Sequence, residues 1–225
     1  MKLFFDTEFT GLRKDTTLIS IGIVSEDGRR FYAELTDYNE NQCNKWINEN
    51  VVKNLHLPHI PWYSKCTENI KKLEEDGYVI SQNPHIPREG ALLEYDYFKS
   101  DNENMTALGD SHWIGIALNE WLKQFDIIQF VSDVSHYDFV LLIELITNGG
   151  TALDLPDNIS AVCHDINQDI AQHFGVTDAE AFDMSREQIM NDLCGSEAIV
   201  TGDKHNSLYD AEVIRAIYKE IGYDI

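Results

Sequence analysis

Two acidic side chains near the amino terminus are spaced in a way that suits metal binding. Asp6 and Glu8 stand two residues apart, directly after the apolar run from Leu3 to Phe5. Because side chains alternate along a β-strand, both carboxylates leave the same face of the predicted strand. Charges that end a buried strand lose hydration, which is costly unless cations or hydrogen-bond donors compensate. The pair therefore predicts that both carboxylates can reach one metal ion.

Two further acids and a histidine accompany predicted helix starts. Asp138 follows a predicted strand over residues 127–131, and Asp210 comes five residues after His205. An acid in the first turn of a helix also serves as a partner for the helix dipole. A single histidine near a helix start is commonly a solvated cap. Taken by themselves, these residues leave the catalytic and the structural interpretation open.

Together, the three segments resemble the DEDDh branch of the 3'-to-5' exonucleases, a family with a ribonuclease H-like fold. The run from Phe5 to Leu12, FDTEFTGL, matches the D-x-E-x-T-G-L motif of that family. Tyr137-Asp138 matches the middle motif, and the segment 205–211, HNSLYDA, matches H-x-x-x-x-D-A. The fuller likeness is to a small bacterial exoribonuclease-like group, over residues 1–55 and 111–222.

This resemblance implies a site with two divalent metal ions, Mg²⁺ or Mn²⁺. Its implied metal ligands are Asp6, Glu8, Asp138 and Asp210, with Asp6 shared between both ions. His205 would accept a proton from the attacking water, since an unperturbed imidazole is largely neutral at pH 7. The middle motif lacks the family's usual Gly-His-Asn lead, which makes Asp133 a rival for the place of Asp138.

The resemblance also implies substrate contacts in and beside the first motif, at Phe9, Thr10, Gly11, Leu12 and Arg13. In related enzymes, apolar residues at the positions of Phe9 and Leu12 stack on the terminal nucleotides. Stacking tolerates any base, which predicts weak sequence preference. Ordinary packing under the loop is an equally good explanation for these two side chains.

The charge is strongly acidic and unevenly distributed. The chain has 17 basic and 39 acidic residues, for a formal net charge of -22. Residues 1–30 hold five basic and five acidic residues, whereas residues 131–200 hold one basic residue and thirteen acids. This imbalance opposes nonspecific attraction to phosphates. We therefore expect short or single-stranded 3' ends as substrates, with Arg13, Lys14 and Lys204 as candidate phosphate contacts.

Hydrophobic patterning predicts an α/β fold, which the resemblance specifies as a ribonuclease H-like mixed β-sheet flanked by helices. The predicted strands include residues 2–9, 18–24, 30–35, 127–131 and 159–163, and the predicted helices include residues 41–52, 67–76, 136–146 and 207–221, with another from Ser111. Residues 1–225 are predicted to form a single exonuclease domain with an insertion at about 57–109 that carries two short strands, 78–81 and 92–98. Two capping boxes, at Thr177 and Ser185, announce further helices.

No apolar run approaches the roughly 20 residues of a membrane-spanning helix, and the apolar amino-terminal stretch is too short for a signal peptide. A cytoplasmic protein without membrane partners is expected, and family resemblance suggests a homodimer. The leading hypothesis is a metal-dependent 3'-to-5' exoribonuclease that releases 5'-mononucleotides from single-stranded or short RNA. One alternative is a 3'-to-5' deoxyribonuclease of the same fold. Another is a non-enzymatic protein whose acidic surface mimics nucleic acid, in which the four acids would lie scattered.

Overall fold

A computed structural model describes residues 1–59, 67–81, 95–101, 103–195 and 200–222. Its centre is an eight-stranded mixed β-sheet with the strand order β4-β5-β6-β3-β2-β1-β7-β8. The strands are β1 (Lys2–Phe9), β2 (Leu18–Ser25), β3 (Arg30–Leu35), β4 (Val79–Ile80), β5 (Tyr97–Ser100), β6 (Met105–Gly109), β7 (Gln129–Ser132) and β8 (His164–Asp165). β1 pairs antiparallel with β2 and parallel with β7, so it is the central strand that its apolar sequence predicts.

Helices cover both faces of this sheet, which confirms the predicted fold class of a mixed sheet flanked by helices. They are α1 (Lys45–Asn50), α2 (Thr67–Glu75), α3 (Ser111–Leu122), α4 (Ser135–Thr147), α5 (Ile166–Phe174), α6 (Asp178–Asp183), α7 (Arg186–Cys194) and α8 (Ser207–Ile221). In the part of the chain that the structure describes, no helix is both long and apolar enough to cross a bilayer.

Alternate residues of β1 point to two different hydrophobic cores. Phe5 packs with residues of α3 and α4, including Leu118 and Leu142, on one face of the sheet. Phe4 packs with residues of α5 and α8, including Ile170 and Ile214, on the other face. Each side chain of this strand is therefore assigned to one helical layer by its parity.

Helix α8 lies unusually close to the sheet at its amino-terminal end. A Cβ atom at Gly22 of β2 would come within 2.3 Å of the backbone of Leu208, so only glycine fits there. Beside this contact, the buried hydroxyls of Ser20 and Ser207 share a hydrogen bond of 3.1 Å. Asp6 of β1 is the register partner of Gly22, so the contact seats the start of α8 directly beside Asp6.

The predicted helix over residues 41–52 is wrong in its extent. The structure has a 3-10 turn at Glu40–Gln42, the short helix α1 and a second 3-10 turn at Val52–Asn54. The side chain of Asn44 accepts a hydrogen bond from the Ile47 amide at 2.9 Å and starts α1 as an N-cap, which breaks the longer helix. Within α1, Ile47 is buried, whereas Trp46 is 53% exposed.

The described parts of residues 57–109 extend the same sheet rather than forming a separate core. β6 pairs parallel with β3, β5 pairs antiparallel with β6, and β4 pairs antiparallel with β5. Strand β6 is not among the strands predicted from the sequence. The predicted strand over 92–98 lies partly outside the described residues, and its described end begins β5. The strand expected over 159–163 is represented by one bridge, from Ile128 to Ile159, followed by β8.

Gly22→Ala is expected to lower the free energy of unfolding by about 3 kcal/mol, because the new methyl group would overlap backbone atoms of α8 that cannot rotate away. Gly175→Ala is the matched control, because a methyl group at Gly175 would meet no other atom of the described residues. The only expected penalty is that alanine is less stable than glycine at the left-handed φ of 67°, which lowers the free energy of unfolding by about 1 kcal/mol. Urea unfolding of both variants measures the difference. Equal losses would show that α8 does not depend on this contact.

Candidate active site

Strand β1 presents acidic and hydroxyl groups to both helical layers at its carboxyl end. Asp6 and Glu8 share the parity of Phe4 and face the side of the sheet that α8 covers, where Asp210 lies. Thr7 has the opposite parity, and its hydroxyl donates a hydrogen bond of 2.6 Å to a carboxylate oxygen of Asp138 in α4. One short strand therefore contacts acids from two helices that are far apart in the chain.

Asp138 is held in the first turn of α4 by two hydroxyl donors. The Thr7 hydroxyl binds Oδ1, and the Ser132 hydroxyl, at the end of β7, donates to Oδ2 at 2.9 Å. The side chain is 1% exposed. These bonds fix the carboxylate in place and leave each oxygen with lone pairs that can accept a further ligand.

The predicted residues converge into two adjacent groups. In the first, ligand atoms of Glu8, His205 and Asp210 all lie within 4.8 Å of one another. In the second, the same holds for Asp6, Asp133 and Asp138. The acids are therefore clustered, contrary to the scattering expected of a nucleic-acid mimic.

Asp133 differs from its neighbours because it has its own cation. The Arg186 guanidinium, at the start of α7, donates from Nε to Asp133 at 2.8 Å, and both side chains are largely buried. Arg186 also binds the carbonyl oxygens of Ala181 and Met184, each at 3.0 Å, and the side chain of Asn167. The Asp133 charge is thus compensated within the protein, which favours Asp138 as the acid left to bind an added cation.

Burial raises the pKa of each of the four predicted acids. The pKa of Asp6 and the pKa of Glu8 lie well above their ordinary values because of desolvation, with added repulsion from neighbouring carboxylates. Burial likewise raises the pKa of Asp138 and that of Asp210 to about 7. Two carboxylates about 5 Å apart repel by roughly 3 kcal/mol at an effective dielectric near 20.

This donor set fits hard divalent cations. Mg²⁺ and Mn²⁺ prefer carboxylate oxygens, and the site supplies them from Asp6, Glu8, Asp138 and Asp210. The two basic side chains that line the cleft in the described structure are already bound to other acids, Arg186 to Asp133 and Lys204 to Glu187. Compensation of the four remaining charges is therefore left to added cations or protons.

His205 stands at the edge of the first group, just before α8. Its backbone N–H donates to Asp210 at 2.9 Å, and its Nδ1 lies 3.9 Å from a Glu8 oxygen. The ring packs edge-on against Trp46 at a centroid distance of 4.9 Å. Burial lowers the pKa of the imidazole, with Lys204 contributing, so His205 is neutral and able to accept a proton at pH 7.

The acids open onto a cleft of about 950 Å³. Three of its apolar side chains are exposed: Leu12 by 73%, Trp46 by 53% and Phe182 by 47%. Phe9 stacks on Tyr137 with a centroid distance of 5.6 Å and an interplanar angle of 14°. Exposed aromatic and aliphatic surfaces beside a carboxylate cluster are suited to stacking against bases.

The structure divides the predicted substrate residues into two sets. Phe9, Gly11 and Leu12 line the cleft. Thr10 is 1% exposed, and its hydroxyl donates to Gln42 at 2.5 Å, so it holds the loop rather than lining the cleft. Arg13 is exposed and lies 3.7 Å from Asp15.

Several cleft residues were not predicted as site residues. The three motifs do not include Trp46, Arg186 or Phe182, and they include Tyr137 only as the neighbour of Asp138. Arg186 is the single basic residue among thirteen acids in residues 131–200, and that isolation was the available signal. For Phe182 the sequence offers no comparable signal, because its exposure depends on how α6 packs.

In protein treated with a chelator, the free energy of unfolding should decrease as the pH rises from about 4 to about 7. A carboxyl whose pKa is higher in the folded than in the unfolded protein binds protons more tightly when folded. Its contribution is therefore favourable below the unfolded pKa and is lost as the pH rises through the folded pKa of about 7. Each tenfold difference in proton affinity between the folded and unfolded protein corresponds to about 1.4 kcal/mol.

Asp138→Asn removes one such carboxyl and should make this decrease shallower. Asp157→Asn, at an exposed position, is the matched control and should follow the wild type. Urea unfolding at several pH values, with chelator and then with Mn²⁺, measures the effect. A wild-type pH dependence in Asp138→Asn would contradict the assigned electrostatic role.

Comparison with known proteins finds similarity over part of the chain. No family model matches the chain. Two proteins of Mycobacterium tuberculosis, from strains CDC 1551 / Oshkosh and ATCC 25618 / H37Rv, are each named 3'-5' exoribonuclease and are 40% identical to this chain over 58 residues. The match covers 26% of this chain and 34% of each relative, so this chain spans about a third of the length of those relatives.

Among solved structures, the Mg²⁺- and Mn²⁺-bound form of S. pombe Pop2p aligns with a TM-score of 0.48 and 16% identity. That alignment covers 98% of this chain and 82% of the Pop2p chain. The expected resemblance to 3'-to-5' exoribonucleases is thus confirmed over about a quarter of the chain, and assignment to the DEDDh branch stays a prediction.

Proposed function

We propose that the protein is a metal-dependent 3'-to-5' exoribonuclease. It hydrolyses phosphodiester bonds at the 3' end of single-stranded or short RNA and releases 5'-mononucleotides. The observation that carries this proposal is that four acids and one histidine, from β1, α4 and the start of α8, line one cleft and fall into two groups of close ligand atoms, one of which also contains Asp133. The names of the two mycobacterial relatives support RNA as the substrate.

Four carboxylates would hold the metal ions: Asp6, Glu8, Asp138 and Asp210. Two divalent cations at these residues would stabilise charge on the phosphate oxygens and supply a nucleophile at neutral pH. The chain's own contribution is to hold the four acids close together despite their repulsion. Thr7 and Ser132 fix Asp138, and the His205 amide fixes Asp210.

His205 would accept the proton of the attacking water on its imidazole ring. The lowered pKa of the ring keeps it neutral at pH 7, and its position beside Glu8 and Asp210 places it next to the proposed ligands. A general base in such a position contributes typically 10²- to 10⁴-fold to the rate.

The cleft and the surface charge favour a short strand as the substrate. Leu12, Phe9 and Trp46 offer apolar surfaces on which terminal bases would stack. Lys204 lines the same cleft and would meet a phosphate, while a net charge of -22 repels a long polyanion. The proposed homodimer and cytoplasmic location stay predictions.

The test is hydrolysis of a 5'-labelled oligoribonucleotide with Mn²⁺, with Mg²⁺ or with chelator. Wild-type protein should shorten the RNA from its 3' end with either metal and be inactive with chelator. Asp138→Asn should be inactive, whereas Asp133→Asn should keep measurable activity, because Arg186 already compensates Asp133. If Asp133→Asn were inactive and Asp138→Asn kept activity, Asp133 would be the metal ligand of the middle motif.

A DNA oligomer of the same sequence is the substrate control. Faster hydrolysis of DNA than of RNA would overturn the exoribonuclease proposal in favour of a deoxyribonuclease. No metal-dependent hydrolysis of either polymer would overturn nuclease activity altogether.

His205→Ala should lower kcat by roughly 10²- to 10⁴-fold, because the variant lacks the proton acceptor. Mn²⁺ binding, measured by calorimetry, should persist because the four carboxylates are unchanged. His173→Ala, at an exposed histidine outside the cleft, is the matched control and should keep the wild-type kcat. A wild-type kcat in His205→Ala would show that His205 is not the general base.

A further inference from the structure

His205 has a backbone conformation that its neighbours must enforce. Its φ is 63°, in the left-handed region, which residues with a side chain adopt only uncommonly. Among the described residues, Asn148 is the other non-glycine with positive φ, and it ends α4 as a helix C-cap, where this conformation is common. His205 instead precedes a helix, so contacts outside its own turn must hold it.

Asn54 binds both chain neighbours of His205. Its side-chain Nδ2 donates to the carbonyl oxygen of Lys204 at 2.7 Å, and its own carbonyl oxygen accepts from Nδ2 of Asn206 at 3.2 Å. Asn54 ends the 3-10 turn that follows α1, about 150 residues earlier in the chain. These two bonds therefore hold the backbone on both sides of His205.

Asn206 connects Asn54 and the backbone around His205 to the β-sheet. It is 4% exposed and is the N-cap of α8, accepting from the Tyr209 amide at 3.3 Å. Its Nδ2 donates a second bond, of 3.0 Å, to the hydroxyl of Tyr32 in β3. The residue next to His205 is thus tied at once to a helix, to a turn and to a strand.

From Asn206 the hydrogen bonds lead through Tyr32 to the fully buried carboxylate of Glu34. The Tyr32 hydroxyl donates to Glu34 at 2.7 Å, and the amides of His56 and Leu57 donate to the same oxygen at 2.6 Å and 3.0 Å. Glu34 is 0% exposed, and Tyr32 is 5% exposed. Because Tyr32 and Glu34 are alternate residues of one paired strand, their side chains share a face and a rigid base.

We propose that this network, defined as Glu34, Tyr32, Asn206 and Asn54, positions the imidazole of His205 against Glu8 and Asp210. The inference rests on the proposed function, in which His205 accepts the proton. Tyr32 and its partners are positioning residues, since their side-chain bonds join the backbone and the helix cap around His205. Of the four acids, they reach only Asp210, whose amide donates to the Asn206 carbonyl oxygen at 3.0 Å. Their removal moves the base, whereas Asp6, Glu8 and Asp138 have no bond to the network in the described part of the chain and stay in place.

Tyr32→Phe tests this by removing one hydroxyl and keeping the ring. We expect the His205 ring resonances in the NMR spectrum of the chelator-treated protein to shift or double, with His205→Gln supplying their assignment. Tyr97→Phe is the matched control, because Tyr97 is a buried tyrosine of the same apolar cluster whose hydroxyl donates to Pro58 instead. It should leave the His205 resonances unchanged.

Kinetics give a second readout. Tyr32→Phe should lower kcat about tenfold with unchanged KM, because a small misplacement of a catalytic group is costly. In a His205→Ala background the same substitution should cause no further loss. Asn54→Ala should reproduce both effects from the opposite side of the histidine.

Three results would overturn the proposal: unmoved His205 resonances in Tyr32→Phe, equal shifts in Tyr97→Phe, or an undiminished effect of Tyr32→Phe without His205. The NMR result is independent of turnover. Absence of RNA hydrolysis by wild-type protein would therefore overturn the proposed function while the spectra still decide whether the network holds the imidazole.

Discussion

Mutual repulsion among carboxylates is the constraint that organises this protein. Four acids are brought together at the end of β1, where burial and proximity both raise their pKa values. A fold that only maximised stability would not collect them there. Much of the surrounding structure compensates for this: two hydroxyls bind Asp138, a backbone amide binds Asp210, and one guanidinium neutralises Asp133.

Much of the fold could be predicted from the sequence because local patterns determined it. β1, β3 and α8 begin and end where apolar periodicity and capping place them. The Thr177 capping box is present with both of its bonds, whereas at Ser185 only the forward bond to the Gln188 amide forms. β6 was not predicted. It pairs with β5 just before it and with β3 some seventy residues earlier, and the parallel pairing with β3 leaves no local signal in the sequence.

In the candidate site too, the residues fixed by local pattern could be predicted and those fixed by tertiary contacts could not. Asp6 and Glu8 were predictable, since two residues on one strand share a face whatever the rest of the chain does. The pairing of Asp133 with Arg186 was not, because it joins the end of β7 to the start of α7 across separate layers. The network behind His205 likewise depends on tertiary contacts, with Asn54 and Tyr32 each more than 150 residues from the histidine they surround.

The Arg186 guanidinium holds the part of the chain that forms one wall of the cleft. It fastens the turn between α6 and α7 to the loop that precedes α4, through Asp133 and the carbonyl oxygens of Ala181 and Met184. Phe182, on that same stretch, forms one wall of the cleft, while the four acids stand on other elements. A change confined to the exposed Phe182 side chain can therefore widen or narrow the entrance to the cleft, whereas a change to the α6 backbone would also act on Arg186 and, through it, on Asp133.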